Sequence, residues 1–169
     1  MVARQSWNLV QLRGRLVYAS RMISSERAEQ LISELRRNDS TGSDFRRAAM
    51  VALSGLDSYD WSGIYRMQHG ELVLDEYIGA ETDHTRIAVG VGVCGTAVKE
   101  DRNQIVEDVR SLDNYLSCSI NTRSEIVVLI RSSHGVLGQI DVDGHAVSAF
   151  DTSDEAFLER LAGLIAERW

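Results

Sequence analysis

The chain of 169 residues has no proline at all and only two cysteines, Cys94 and Cys118. Without proline, every turn must be made by Gly, Asn, Asp or Ser. Two cysteines are too few for a disulfide-stapled secreted scaffold, so in a reducing compartment the pair is either buried and inert or it is chemistry. No stretch approaches eighteen consecutive apolar residues, and Arg4, Arg13 and Arg15 interrupt the first twenty before any leader-type apolar run develops. The sequence therefore predicts a cytoplasmic protein that does not enter a membrane. Basic charge is also short. The net charge is −7, which argues against a nucleic-acid partner, because phosphate binding needs clustered Lys and Arg. Charge is placed unevenly: residues 1–50 hold nine Arg against five acids, and the rest of the chain is strongly acidic. A solvated helix face or a partner-binding arm both account for that asymmetry.

What is present is an ordinary globular composition, 44% hydrophobic and 25% charged, in a length that suits one domain with a short appendage. Leu9, Leu12, Leu16 and Ile23, then Leu31, Ile32 and Leu35, recur at helical spacing, so residues 1–37 read as one or two helices broken or capped at Ser24-Ser25. Asn38 to Gly42 reads as a linker. The stripe Phe45, Ala48, Ala49, Ala52, Leu53, Leu56 predicts a further helix ending near Gly55. From Trp61 the period changes to two, and Gln68-His69-Gly70 turns that strand into Glu71 to Tyr77. A second hairpin joins Glu125–Ile130 to Val136–Val142. Arg86–Val89 and Gln104–Val106 are shorter strand candidates, and a short helix entered through glycines spans Gly92 to Lys99. Asp151 to Glu155 supplies a cap and first-turn carboxylates for a last helix with Phe157, Leu158, Leu161, Leu164 and Ile165 buried. The predicted class is α+β: a helical arm over 1–40, then a domain over 41–169 in which an antiparallel sheet carries N- and C-terminal helices on one face and a small-molecule pocket on the other.

Several residues carry candidate chemistry. Cys94 sits at a predicted helix N-terminus, where free N–H groups favour a thiolate, although the dipole contributes only about 0.3–1 kcal/mol. Burial between glycines is the alternative for it. Cys118 lies in a polar segment with no strand or helix period, where core filling is a poorer explanation. Neither the cysteines nor His69, His84, His134 and His145, which read as surface or turn residues, have metal-ligand spacing, so no metal site is expected. Glu125 begins an apolar strand, and Asp141 and Asp143, two apart on its hairpin partner, share one strand face. Such a cluster either protonates a member or meets a cation such as an ammonium group, unless its acids simply face solvent at strand ends. Trp61 and Tyr65, also on one face, wall a pocket or fill the core.

Taken in order and spacing, Trp61-Ser-Gly-Ile-Tyr65, Arg86-Ile87 with Gly92-Val-Cys-Gly-Thr-Ala97, Gln104-Ile-Val-Glu-Asp-Val109, Cys118, Ser124-Glu-Ile-Val-Val128, Gly138-Gln-Ile-Asp-Val-Asp143 and Phe150-Asp-x-x-Asp154 resemble the free methionine-(R)-sulfoxide reductases, which are single-domain GAF proteins. The resemblance spans about residues 45–168 and implies a GAF fold. It implies Cys118 as the cysteine that attacks the sulfoxide sulfur, and Glu125, Asp141 and Asp143 as the acids that hold the substrate amine and supply a proton. Trp61 and Tyr65 would then be walls around the methyl thioether. The family uses no bound cofactor and is recycled by thioredoxin, so the implied reductant is thioredoxin or another thiol. Where the family commonly carries its resolving cysteine this chain has His84, which leaves Cys94 for that role. A homodimer through the N-terminal helices is a further expectation. The competing reading is a non-catalytic GAF sensor or dimerisation module.

Overall fold

The computed structural model describes residues 22–112 and 121–169 in full, and the backbone of 7–12 and 15–20. Two strands, β1 (Trp7–Leu12) and β2 (Arg15–Ser20), pair antiparallel as a separate hairpin. Helix α1 (Ser25–Arg36) and helix α2 (Gly42–Leu53) follow. A six-stranded sheet is then built from β3 (Trp61–Gln68), β4 (Glu71–Ile78), β5 (Arg86–Ala88), β6 (Gln104–Val106), β7 (Ser124–Ser132) and β8 (Gly135–Gly144). Helix α3 (Gly92–Glu100) lies between β5 and β6, and α4 (Thr152–Glu167) ends the fold. Strand order is β5-β4-β3-β8-β7-β6, with every pairing antiparallel. Among the described residues no helix is long and apolar enough to cross a membrane.

The helical reading of residues 1–37 is half wrong. From Ser25 it holds, with the Ser24 side chain accepting from the Arg27 N–H as the cap. Over 7–20 the chain forms strands instead. Val10, Val17 and Tyr18 lose side-chain freedom in a helix and favour extended backbone, and pairing the two segments over all six residues gives their backbone groups partners. Leucines three or four apart do not by themselves exclude that outcome. Nor does α1 stand off as an arm: Ala28, Leu31, Ile32 and Leu35 are buried in the main core.

That core lies between one face of the sheet and α1, α2 and α4. Ile64, Ile126, Val128, Ile130, Ile140 and Val142 meet Phe45, Met50, Leu53, Phe157, Leu158 and Leu161 there. Each such side chain contributes about 1.5–3 kcal/mol on full burial. At the start of α4, Asp151 is the expected cap, and with Asp154 it forms a capping box. The alternate residues Trp61, Tyr65, Val127 and Leu129 point to the opposite face and pack with Val93, Cys94 and Ala97 of α3. Burial on both faces explains why β7 reads Ile-Val-Val-Leu-Ile without polar alternation. The α3 side holds the buried acids Glu125, Asp141 and Asp143, and it carries the candidate site.

Candidate functional site

Register brings the acids together. Asp143 on β8 is directly opposite Glu125 on β7 and Trp61 on β3, and Asp141 is opposite Val127 and Gly63. Because side chains two apart share a face, Glu125, Asp141, Asp143 and Trp61 all project toward α3. Helix α3 sets Cys94 over them, its Sγ 3.9 Å from a Glu125 carboxylate oxygen. All three acids and Cys94 are buried. Donor atoms of Cys94, Glu125 and Asp141 lie within 4.8 Å of one another, close enough to share a proton or to meet around a single cation. The absence of metal-ligand spacing along the sequence does not reveal this grouping, because two strands and a helix assemble it.

Three carboxyl groups in so little water cannot all ionise. Burial pushes Glu125 well above the usual carboxylate range, and the charges of Asp141 and Asp143 push it further. Burial likewise raises Asp143, with Asp141 adding to the shift. Asp141 rises from 3.8 to about 7, burial again being the cause. At neutral pH the trio therefore retains protons that solvent-exposed acids would have lost, and these belong to the cluster rather than to one residue. Both Asp141 oxygens and one of Asp143 are buried without a hydrogen-bond partner of ordinary length among the described residues. Such groups accept a ligand's donors at little further desolvation cost.

Trp61 has a made-to-measure seat. A β-carbon on Gly63 would overlap its six-membered ring, and one on Gly79 would overlap the five-membered ring, at a φ of +137° that L side chains rarely adopt. The indole stacks on Tyr77 at 5.8 Å and donates from Nε1 to the Ala80 carbonyl at 3.0 Å. Tyr65, expected as a second wall, is fully buried behind it at 6.5 Å, and its hydroxyl donates to the His84 carbonyl. A cavity of about 180 Å³ opens beside Trp61, lined by Asp60, Ala80, Asn121, Thr122, Asp143 and His145. That is smaller than sites for drug-sized ligands and suits a smaller one.

Of the residues singled out from sequence, Cys94, Glu125, Asp141, Asp143 and Trp61 thus converge, with Tyr65 adjoining Trp61. Cys118 lies outside the described residues; Asn121 and Thr122, which line the cavity, follow it closely in sequence. Sequence reasoning missed Asp60 and His145, since a lone acid and a lone turn histidine carry no periodic signal. It also missed the roles of Gly63, Gly79 and Tyr77 around the indole.

Comparison with known proteins gives a consistent result. A family model described as GAF domain matches residues 44–167. The free methionine-R-sulfoxide reductase of Saccharomyces cerevisiae is 42% identical over 110 residues, 63% of this chain and 61% of that protein, so this chain spans less than two thirds of the yeast protein's length. The solved structure of the type II free methionine-R-sulfoxide reductase from Thermoplasma acidophilum is 35% identical and aligns with a TM-score of 0.69, covering 83% of this chain and 93% of that one. That of the free methionine-R-sulfoxide reductase from Neisseria meningitidis, in complex with its substrate, is 29% identical with a TM-score of 0.78, covering 86% and 91%.

Proposed function

The chain belongs to the GAF-domain family of free methionine-R-sulfoxide reductases, and from that membership we propose that it reduces free L-methionine-(R)-sulfoxide to methionine at the pocket beside Trp61. The observation that carries the reading is the buried, proton-retaining cluster of Glu125, Asp141 and Asp143 under the Cys94 thiol and next to a small cavity. Reduction of a sulfoxide needs a proton for the departing oxygen, which a carboxyl of raised pKa supplies at neutral pH. It also needs an acceptor for the substrate ammonium, and Asp143, which lines the cavity, presents its carboxyl oxygens for that. Trp61, held flat by two glycines, offers an apolar wall for the methyl thioether.

Cys118 is the nucleophile in this reading. Its sulfur attacks the sulfoxide sulfur; the oxygen passes to the cysteine as a sulfenic acid, and methionine leaves with the thioether restored. The Cys94 thiol then displaces water from the sulfenic acid to form a Cys94–Cys118 disulfide. Thioredoxin or another dithiol reductant returns both thiols by exchange, becoming the disulfide itself. The balance is one sulfoxide and two thiols consumed for one thioether, one disulfide and one water. The cavity-lining Asn121 is three steps along the chain from Cys118, a reach of at most about 11 Å between their Cα atoms.

The test is turnover of the free sulfoxide with a thioredoxin system, together with intact mass after a single exposure to sulfoxide without reductant. The expected results are reduction of the free R epimer and a loss of two mass units that maps to Cys94 and Cys118. Cys118→Ser abolishes reduction. Cys94→Ser keeps one stoichiometric turnover and loses efficient recycling by thioredoxin. Full activity in Cys118→Ser overturns the assignment, and retained ligand with unchanged mass indicates a binding module instead.

A further inference from the structure

The buried acids match the ammonium group and the sulfoxide oxygen of the substrate, but a free amino acid also brings a carboxylate, and an acidic pocket repels it. Among the described side chains lining the cavity, His145 is the one that can carry positive charge. It follows β8 directly, two residues after Asp143, and its side chain is 49% exposed. Asp60 holds it twice. The His145 backbone N–H donates to one Asp60 carboxylate oxygen at 2.7 Å, and the ring Nδ1 lies 3.4 Å from the other. With Nδ1 turned to Asp60, the second ring nitrogen, Nε2, is the donor left for a ligand.

We infer that His145, oriented by Asp60, binds the α-carboxylate of the free amino-acid substrate through Nε2–H, and that this contact contributes to selection of the free amino acid over the peptide-bound residue. The inference rests on the reductase reading above and specifies how the same cavity chooses its substrate. Ammonium and carboxylate share one carbon, so their anchors must be close neighbours, as Asp143 and His145 are in the cavity wall. In a peptide the carboxylate is an amide, a neutral and weaker acceptor for the Nε2–H. Asp60 is a positioning residue here, acting on the carboxylate through His145.

The experiment is calorimetric titration of the full chain carrying Cys118→Ser, so that no sulfoxide is consumed, with L-methionine-(R)-sulfoxide and with its decarboxylated analogue, 3-(methylsulfinyl)propylamine. A charge-assisted hydrogen bond at a half-exposed site is worth roughly tenfold in affinity. The amino acid is therefore expected to bind roughly tenfold tighter than the analogue. His145→Ala removes that preference while leaving the analogue's affinity unchanged, which a merely structural loss would not do. His145→Gln, a donor without charge, falls between, and Asp60→Asn weakens the preference in the same direction. A preference that survives His145→Ala, or equal binding of the two ligands before mutation, overturns the inference; if the unmodified chain still reduces the free sulfoxide, the reductase reading stands. Failure to bind either ligand, with no reduction by the unmodified chain, overturns both.

Discussion

Replacing Asp141 by asparagine should stabilise the folded protein above neutral pH and flatten its dependence on pH. In the native state burial raises Asp141 from 3.8 to about 7. Between those values the unfolded chain has released a proton that the folded chain still holds, so stability is greatest at low pH and falls by about 1.4 kcal/mol per pH unit as pH rises toward 7. Across the whole window this amounts to roughly 4 kcal/mol. Glu125 and Asp143 are displaced in the same direction by burial and by the Asp141 charge, so they add to the same slope. Asparagine keeps the shape and removes both the ionisation and its push on the neighbours. Urea unfolding at pH 5, 6, 7 and 8 measures the effect. Below about pH 4 the variant and parent should differ little, because Asp141 is neutral in both the folded and the unfolded chain; at pH 5 the variant should already be more stable by about 1–2 kcal/mol and at pH 8 by a few kcal/mol, with a shallower slope in between. Parallel pH profiles, or a variant less stable than the parent at pH 8, would show that Asp141 is ionised and satisfied in the fold, and would remove the proton source assigned to the cluster.

Gly63→Ala forces a β-carbon into the Trp61 ring and should cost about 1–3 kcal/mol in denaturant unfolding, with weaker binding of free methionine sulfoxide as the indole leaves its seat. Tyr59→Phe deletes the buried hydrogen bond from its hydroxyl to Asp154 and should cost about 1–2 kcal/mol, read as a drop of a few degrees in the melting temperature. Asp154→Ala should cost more, since the same carboxylate also accepts from the Ile23 and Asp151 backbone N–H groups and all three donors would be orphaned; equal losses in the two variants would contradict this.

How far the site was legible follows from the kind of signal each residue carries. Asp141 and Asp143 could be assigned to one face because strand period is local, and Glu125 could be set near them because a tight hairpin fixes register. That Trp61 needs both Gly63 and Gly79 was hidden, for those glycines are sixteen residues apart and meet only when β3 and β4 pair. The Asp60–His145 pair was hidden in the same way, since it forms only where the start of β3 meets the end of β8. The hairpin of β1 and β2 escaped because leucine spacing of three to four was weighed without the β-branched and aromatic residues between.

By itself the sequence determined the succession of elements from Ser25 onward, the two-faced sheet and the acidic character of the pocket, because hydrophobic period, capping residues and hairpin turns act over a few residues. Tertiary structure alone decided that Cys94 meets Glu125, that the three acids are dry and therefore hold protons, and that His145 leans on Asp60. Those are properties of distance and solvent exclusion between segments far apart in the chain, and no local pattern encodes them.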